Sequence, residues 1–125
     1  MPRRNNPEYE LHKAVIEWLA WVKPDCLYFH PYNGAFMSKA TAGKGKAMGV
    51  LPGVADLVFV LPGGKVGFIE LKAPGNYLTP KQKAFRYDVL RLGALYAYAH
   101  SHEEVVTTLR TWVVSFHAQA RGRAA

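Results

Sequence analysis

The stretch GFIELKA, residues Gly67–Ala73, is apolar and β-branched except for an acid and a base, Glu70 and Lys72, two positions apart. Such a composition predicts a β-strand. Alternate residues of a strand share a face, so Glu70 and Lys72 point to one side and Leu71 points to the other. Taken alone, the two charged residues suggest a solvated pair on an edge strand. The residues around this strand favour a functional explanation.

The segment before this strand supplies a second acid. Residues 56–61 (DLVFVL) predict a strand that pairs with the GFIELKA strand through a Pro-Gly-Gly turn. The start of the first strand of such a hairpin lies beside the end of the second, so we expect Asp56 and Glu70 to converge. Two carboxylates this close repel each other unless a cation lies between them, and their oxygens suit Mg²⁺ or Mn²⁺. Lys72 would add positive charge beside whatever the metal holds.

Periodicity and capping residues predict the other elements. These are a helix that starts at Asn6-Pro7 and ends before Pro24, a strand at Cys26–His30, the hairpin of Asp56–Leu61 and Val66–Lys72, a helix from Thr79-Pro80 to Gly93, a strand at Ala94–Ala99, and a last helix opened by Ser101 and Glu104. A helix between two core strands predicts an α/β fold with a mixed β-sheet flanked by helices.

The segment from Pro31 to Pro52 has a different character. It contains four glycines and three lysines, Lys39, Lys44 and Lys46, and it contains no acid. We expect a long basic loop, and loops of this length inside a compact domain are usually functional or mobile. The three lysines are either phosphate contacts or plain solvated charges.

Composition limits the classes of protein that remain. The chain has 125 residues, the size of one domain, with 16 Lys and Arg against 9 Asp and Glu, a net charge of +7. This charge points to a polyanion such as nucleic acid, or to a merely soluble basic protein. One cysteine, Cys26, excludes an intrachain disulfide and a Cys-based zinc cluster, and the five histidines show no metal-ligand spacing. Neither a signal peptide nor a membrane span is predicted, so we expect a cytoplasmic protein.

The motifs together resemble a known nuclease superfamily. Asp56, followed fourteen positions later by Glu70-Leu71-Lys72, resembles the PD-(D/E)xK motif. The VRR-NUC branch is similar in four stretches, in the same order: PEYELHKAVIEWL (Pro7–Leu19), PYNGAF (Pro31–Phe36), GVLPGVADLVFV (Gly49–Val60) and FIELKAPGNYLTPKQKAF (Phe68–Phe85). The similarity extends over roughly residues 7–105. Ala55 stands where the family usually has a proline, which only shapes the backbone.

This resemblance implies a restriction-endonuclease-like core. It implies a single VRR-NUC-like nuclease domain over residues 1–117, followed by a basic flexible tail at 118–125. The implied activity is metal-dependent hydrolysis of DNA phosphodiester bonds, with branched DNA such as four-way (Holliday) junctions as substrate. A homodimer from a bacterial or phage-infected cell is also implied, and the 3 Trp, 7 Tyr and 6 Phe residues offer material for an interface.

The resemblance also assigns a metal site. Asp56 and Glu70 would bind Mg²⁺, for which Mn²⁺ would substitute, and the Leu71 carbonyl would be a third ligand. An acid on the first helix would complete the set. Glu8 fits that position best and Glu10 is the alternative. Any acid in a first helical turn is also favoured by the helix dipole, so Glu8 has a purely structural explanation as well.

Further roles follow for residues around the metal. Lys72 would orient or activate the attacking water, and Gln82 would support the site from its helix. Gln82 also forms a capping box with Thr79, which would explain it without any catalytic role. Asn33 either contacts substrate or turns the chain. The implied DNA contacts are Asn33, Lys39, Lys44 and Lys46.

Three functions are therefore open. The first is a metal-dependent DNA endonuclease, which the combination of Asp56, Glu70, Lys72 and Gln82 favours. The second is a basic DNA-binding module without catalysis, which would bind DNA but never cut it. The third is a structural subunit whose acids pair with lysines, and this protein would show little salt-dependent affinity for DNA.

Overall fold

The computed structural model describes residues 6–32 and 39–116. The elements are α1 (Pro7–Val22), β1 (Leu27–Phe29), α2 (Lys39–Ala47), β2 (Leu57–Val60), β3 (Val66–Leu71), α3 (Pro80–Arg91), β4 (Leu95–Ala99) and α4 (His102–Thr111). Asn33 and the tail at 118–125 lie outside the described residues. None of the helices in the described ranges is long and apolar enough to cross a membrane.

The four strands form one mixed sheet in the order β1-β2-β3-β4. The first two pairs are antiparallel and the β3–β4 pair is parallel. A parallel pair needs a crossover connection, and α3 provides it. The predicted α/β fold with a mixed sheet and flanking helices is therefore confirmed, as is the predicted β2–β3 hairpin.

Helices α1 and α4 cover one face of the sheet. α1 begins as predicted, because the Asn6 side chain accepts a hydrogen bond from the Tyr9 N–H at 3.1 Å and proline follows at the first helical position. Gly67 permits close packing on this face, since a Cβ there would lie 2.5 Å from the Trp112 ring. The buried apolar cluster consists of Val15, Leu19, Val22, Leu57, Phe59, Leu61, Ile69, Leu71, Ala99, Val105, Leu109, Val114 and Phe116.

Helix α3 covers the opposite face of β3. The rings of Phe68 on β3 and Phe85 on α3 meet edge to face, with centroids 5.1 Å apart. Because residues two apart in a strand share a face, Glu70 lies on the same side as Phe68 and therefore towards α3. This arrangement brings the first turn of α3 to the end of β3 where the charged residues lie.

The long loop predicted from Pro31 to Pro52 is wrong in its second half, which contains α2. Alanine and lysine are good helix formers, and they outweigh the two glycines inside the helix. The helix ends at Gly49, whose φ is 95°, with hydrogen bonds from the Gly49 N–H to the Lys46 carbonyl (3.1 Å) and from the Val50 N–H to the Gly45 carbonyl (2.9 Å). This is the Schellman termination, so Gly49 is a helix terminator and not a loop residue.

Candidate active site

Asp56 and Glu70 converge at the open end of the β2–β3 hairpin. The register pairs Leu57 with Ile69, so Asp56 lies one step beyond, opposite Glu70. The Asp56 Oδ2 accepts a hydrogen bond from the Leu71 N–H at 2.8 Å, which fixes the carboxylate at the strand end. The Glu70 side chain is almost fully buried, with 4% of its surface exposed. The predicted convergence of the two acids is confirmed.

Burial and neighbouring charge disfavour the ionised form of Glu70. The pKa of Glu70 is raised to about 9, first by burial, then by the charge of Asp56 and by a hydrogen bond between the two side chains; Lys72 opposes the shift and Glu8 adds to it. Without a positive ion, the cluster relieves its repulsion by keeping a proton. A set of carboxylate oxygens of which Glu70 is buried and Glu8 and Asp56 are half-buried fits a hard divalent cation such as Mg²⁺, which would displace that proton.

Helix α1 contributes a third carboxylate. The Glu8 Oε1 accepts hydrogen bonds from the Ala73 N–H at 3.3 Å and from the Asn76 side-chain amide at 3.2 Å. These contacts hold the first turn of α1 against the segment that follows β3. The neighbouring acid Glu10 is exposed to solvent. Of the two candidates, Glu8 is the one that reaches the cluster, and its role as a metal ligand stays a prediction, as does that of the Leu71 carbonyl.

Gln82 connects the cap of α3 to the carboxylates. Its Oε1 accepts from the Thr79 N–H at 2.9 Å, its own N–H donates to the Thr79 Oγ1 at 3.2 Å, and its Nε2 donates to the Glu70 Oε2 at 3.2 Å. Because the amide oxygen is occupied by the cap, the amide nitrogen is directed at Glu70. The capping box is present and orients the side chain towards Glu70, while a supporting role for Gln82 in catalysis stays a prediction.

Gly53 sets the spacing between the Asp56 strand and α3. It lies in the glycine-rich segment before β2 with φ at 82°, and a Cβ there would collide with the backbone carbonyl of Lys81 in the first turn of α3. Both the left-handed backbone and the close approach require glycine. The contact keeps the helix that carries Gln82 against the segment that leads through Asp56 into β2.

Lys72 follows β3 and extends its pairing with β4. Its N–H donates to the Ala99 carbonyl at 2.9 Å, and only 7% of the residue is exposed. Its positive charge acts on Glu70, since it lowers the pKa that the surrounding acids raise. The structure therefore places a buried ammonium group within electrostatic reach of the carboxylates, on the face predicted from the strand pattern.

Solved structures share this architecture. One described as a "VRR_NUC domain protein" superposes with a TM-score of 0.68 at 20% identity and covers 89% of this chain and 91% of its own length. Another, a "VRR_NUC domain", gives a TM-score of 0.57 at 20% identity and covers 85% and 97%. The chain has the VRR-NUC fold. No protein-family model and no curated protein matches the sequence.

The resemblance inferred from the motifs is thus confirmed at the level of the fold. At 20% identity the likeness does not carry activity from one protein to another, so function must be argued from the residues. The contacts of Glu8, Asp56, Glu70 and Gln82 lie at one end of β3, and Lys72 follows directly after that strand.

Two histidines that the sequence did not predict also reach Asp56. The His30 Nδ1 lies 2.6 Å from the Asp56 carbonyl, and the rings of His12 and His30 meet at right angles with centroids 4.7 Å apart. The pKa of His12 is lowered by burial, raised by Asp56 and lowered by His30. The sequence gives no spacing signal for this grouping, because these residues come from α1 and from the segment after β1.

A groove of about 430 Å³ lies next to these histidines. The residues that line it are Tyr9, His12, Lys13, Ile16, Glu17, His30 and Tyr32. The groove opens beside the His12–His30 pair, and two of its lining side chains, Tyr9 and Tyr32, are aromatic.

The predicted DNA-binding residues are only partly described. Lys44 and Lys46 lie on α2 and are exposed. Lys39 is the first residue of α2, its side chain is not among those described, and Asn33 falls outside the described residues. Contact of these four residues with DNA stays a prediction.

Proposed function

We propose that this protein is a metal-dependent nuclease that hydrolyses DNA phosphodiester bonds. The observation that carries the proposal is the convergence of three carboxylates, Glu8, Asp56 and Glu70, from three separate elements at the end of β3. Burying like charges together is unfavourable for folding, and such an arrangement is typical of sites that hold a cation and do chemistry. This clustering supports a catalytic role over that of a purely structural subunit.

Asp56 and Glu70 would bind Mg²⁺, or Mn²⁺ in its place, with Glu8 and the Leu71 carbonyl as further oxygen ligands. When bound, the ion would stabilise negative charge on the phosphate and lower the pKa of a coordinated water. Gln82 would keep the Glu70 carboxylate in one orientation through its 3.2 Å hydrogen bond. Because such ligands are already ordered before the reaction, no free energy is needed to order them during it.

Lys72 would stabilise negative charge on the phosphate and orient or activate the attacking water. Lys72 is buried at the strand end and its charge acts on Glu70, so it would add positive charge near the place where the phosphate gains negative charge. Lysine is not a ligand in this assignment. The division of labour therefore predicts that Lys72→Ala loses cleavage and keeps metal affinity.

DNA is the proposed substrate because the chain is strongly basic. The net charge is +7, and Lys44 and Lys46 are exposed on α2. Lysines of this type bind phosphates without reading bases.

We further propose that the active form is a homodimer that prefers four-way junctions. One site cuts one strand, and two-fold symmetry supplies the second site that symmetric resolution needs. Exposed aromatic residues such as Trp21, at 68% exposure, offer interface surface.

The test uses the purified chain with linear, flapped and four-way DNA in Mg²⁺, Mn²⁺ or EDTA. We expect cleavage in both metals, none in EDTA, and none for Asp56→Ala or Glu70→Ala, which should still bind DNA. Metal-dependent cutting that persists in either variant would contradict the site. DNA binding without cutting by the wild-type protein would identify the non-catalytic binding module instead. Light scattering that gives the mass of one 13.9 kDa chain, with and without DNA, would refute the dimer.

A further inference from the structure

We propose that His12, His30 and Asp56 form a second cation site, which takes a transition metal ion of the Zn²⁺ class. One nitrogen from each imidazole and one oxygen of Asp56 all lie within 4.8 Å of one another. The three residues come from α1, from the segment after β1 and from the segment before β2, so only the tertiary fold brings them together. The site goes beyond the oxygen site proposed for Mg²⁺ and shares Asp56 with it.

The distances suit closure around one ion. Zinc binds nitrogen and carboxylate oxygen at about 2.0–2.2 Å, so two ligand atoms of a tetrahedral ion lie roughly 3.3–3.5 Å apart. The three ligand atoms of the protein lie within 4.8 Å of one another. Movements on the order of 1 Å would bring them to the spacing found around a zinc ion. Rotation of the partly exposed side chains supplies such movements without a change in the backbone.

One ring nitrogen of His30 is held by the backbone. Its Nδ1 lies 2.6 Å from the Asp56 carbonyl, and because a carbonyl only accepts, Nδ1 carries the proton. The lone pair is then on Nε2. Metal-binding histidines usually have this arrangement, with one nitrogen donating to a carbonyl and the other free for the ion. The ring of His12 packs edge-on against that of His30 and brings the second imidazole to the same place.

The donor set selects the kind of ion. Two neutral imidazoles with one carboxylate suit Zn²⁺, Co²⁺ or Ni²⁺, whereas Mg²⁺ prefers oxygen ligands and keeps several waters. The groove of about 430 Å³ that His12 and His30 line gives an ion a path from solvent and leaves room for water as the remaining ligand. Oxygen ligands on one side of Asp56 and nitrogen ligands on the other thus make two sites of different selectivity.

The experiment measures Zn²⁺ binding by calorimetry on chain that carries no affinity tag. The background is Glu70→Gln, which removes a carboxylate from the oxygen site and leaves His12, His30 and Asp56 intact. We expect one Zn²⁺ to bind, and a further His12→Gln or His30→Gln change to weaken binding by roughly 100-fold. His100→Gln is the matched control, since that ring contacts Asn76 and Glu104 instead, and it should leave the affinity unchanged.

Ring nitrogen NMR gives a second readout that a folding defect does not imitate. Zn²⁺ should shift the ring nitrogen signals of His12 and His30 in the wild-type protein and leave those of His100 in place. Unchanged affinity in both histidine variants, or unshifted ring signals, would overturn the second site. Neither result depends on cleavage, so a protein that binds Zn²⁺ here and never cuts DNA would contradict the nuclease proposal alone.

Discussion

The Gln82 Nε2 donates to the Glu70 Oε2 across 3.2 Å while the Gln82 Oε1 accepts from the Thr79 N–H at 2.9 Å. The oxygen of this amide group thus takes part in the helix cap, and its nitrogen orients a buried carboxylate. The helix start and the candidate site are therefore coupled, and substitutions can separate the two roles.

Gln82→Ala and Thr79→Ala should differ in activity. Each removes part of the cap, which should cost about 1 kcal/mol in free energy of unfolding, and Gln82→Ala also removes the hydrogen bond to the buried Glu70. Only Gln82→Ala also frees Glu70, so only this variant should lose cleavage rate beyond what unfolding explains. Urea denaturation and single-turnover cleavage measure the two effects. Equal loss of rate in Thr79→Ala would mean that the cap alone matters.

Glu8→Gln and Glu10→Gln form a matched pair on the first turn of α1. Both acids feel the same helix dipole, so both substitutions should change stability by a few tenths of a kcal/mol. Glu8 alone contacts Ala73 and Asn76 at the end of β3. We expect calorimetry to show weaker Mg²⁺ binding for Glu8→Gln and unchanged binding for Glu10→Gln. The opposite ranking would transfer the ligand role to Glu10.

The stability of the metal-free protein should fall as pH rises from about 4.5 to about 9, the interval between the ordinary and the folded-state pKa of Glu70. In this interval the folded state holds a proton that the unfolded state has released, so raising the pH favours unfolding. Glu70→Gln should reduce this slope, because its side chain does not titrate. Urea denaturation in EDTA at pH 5, 7 and 9 provides the measurement. A wild-type slope equal to that of Glu70→Gln would contradict the assignment.

Gly53→Ala should damage the site more than Gly63→Ala. Both glycines have φ near 83°, at 82° and 84°, so alanine is strained by roughly 1–2 kcal/mol at either position. Only at Gly53 would the added Cβ meet the backbone of α3, since nothing lies within 4 Å at Gly63. We expect a larger loss of stability and a loss of cleavage for Gly53→Ala alone. Cleavage at the wild-type rate in that variant would show that the contact does not position Gln82.

Replacing Lys39, Lys44 and Lys46 with alanine should weaken binding to all DNA sequences about equally. The dependence of log K on log salt should flatten by roughly one unit for each lysine that binds a phosphate in the wild-type protein. Lys65→Ala is the control, because this exposed lysine lies at the turn of the β2–β3 hairpin, away from Asp56 and Glu70. Fluorescence anisotropy across a salt series measures the slope. An unchanged slope in the triple variant would remove α2 from the DNA-binding surface.

Local chemistry explains why most of the fold was predictable. Helix caps such as Asn6-Pro7 and Thr79-Pro80 act within one turn, and the turn between β2 and β3 sets a register that pairs Leu57 with Ile69. The convergence of Asp56 and Glu70 follows from that register alone. The exception is α2: its glycines predict a loop, but alanine and lysine outweigh them.

What the sequence by itself determined is the carboxylate pair, because a hairpin turns residues close in the chain into neighbours in space. Only the tertiary structure decided how Glu8 reaches the segment after β3 and how His12 and His30 reach Asp56. Their positions depend on how α1 packs across the sheet and on how β1 joins β2, and such contacts leave no fixed spacing in the sequence. The hydrophobic packing of α1 is non-directional, and its free energy comes from many residues together. No single sequence motif therefore predicts where this packing places the polar side chains of the helix.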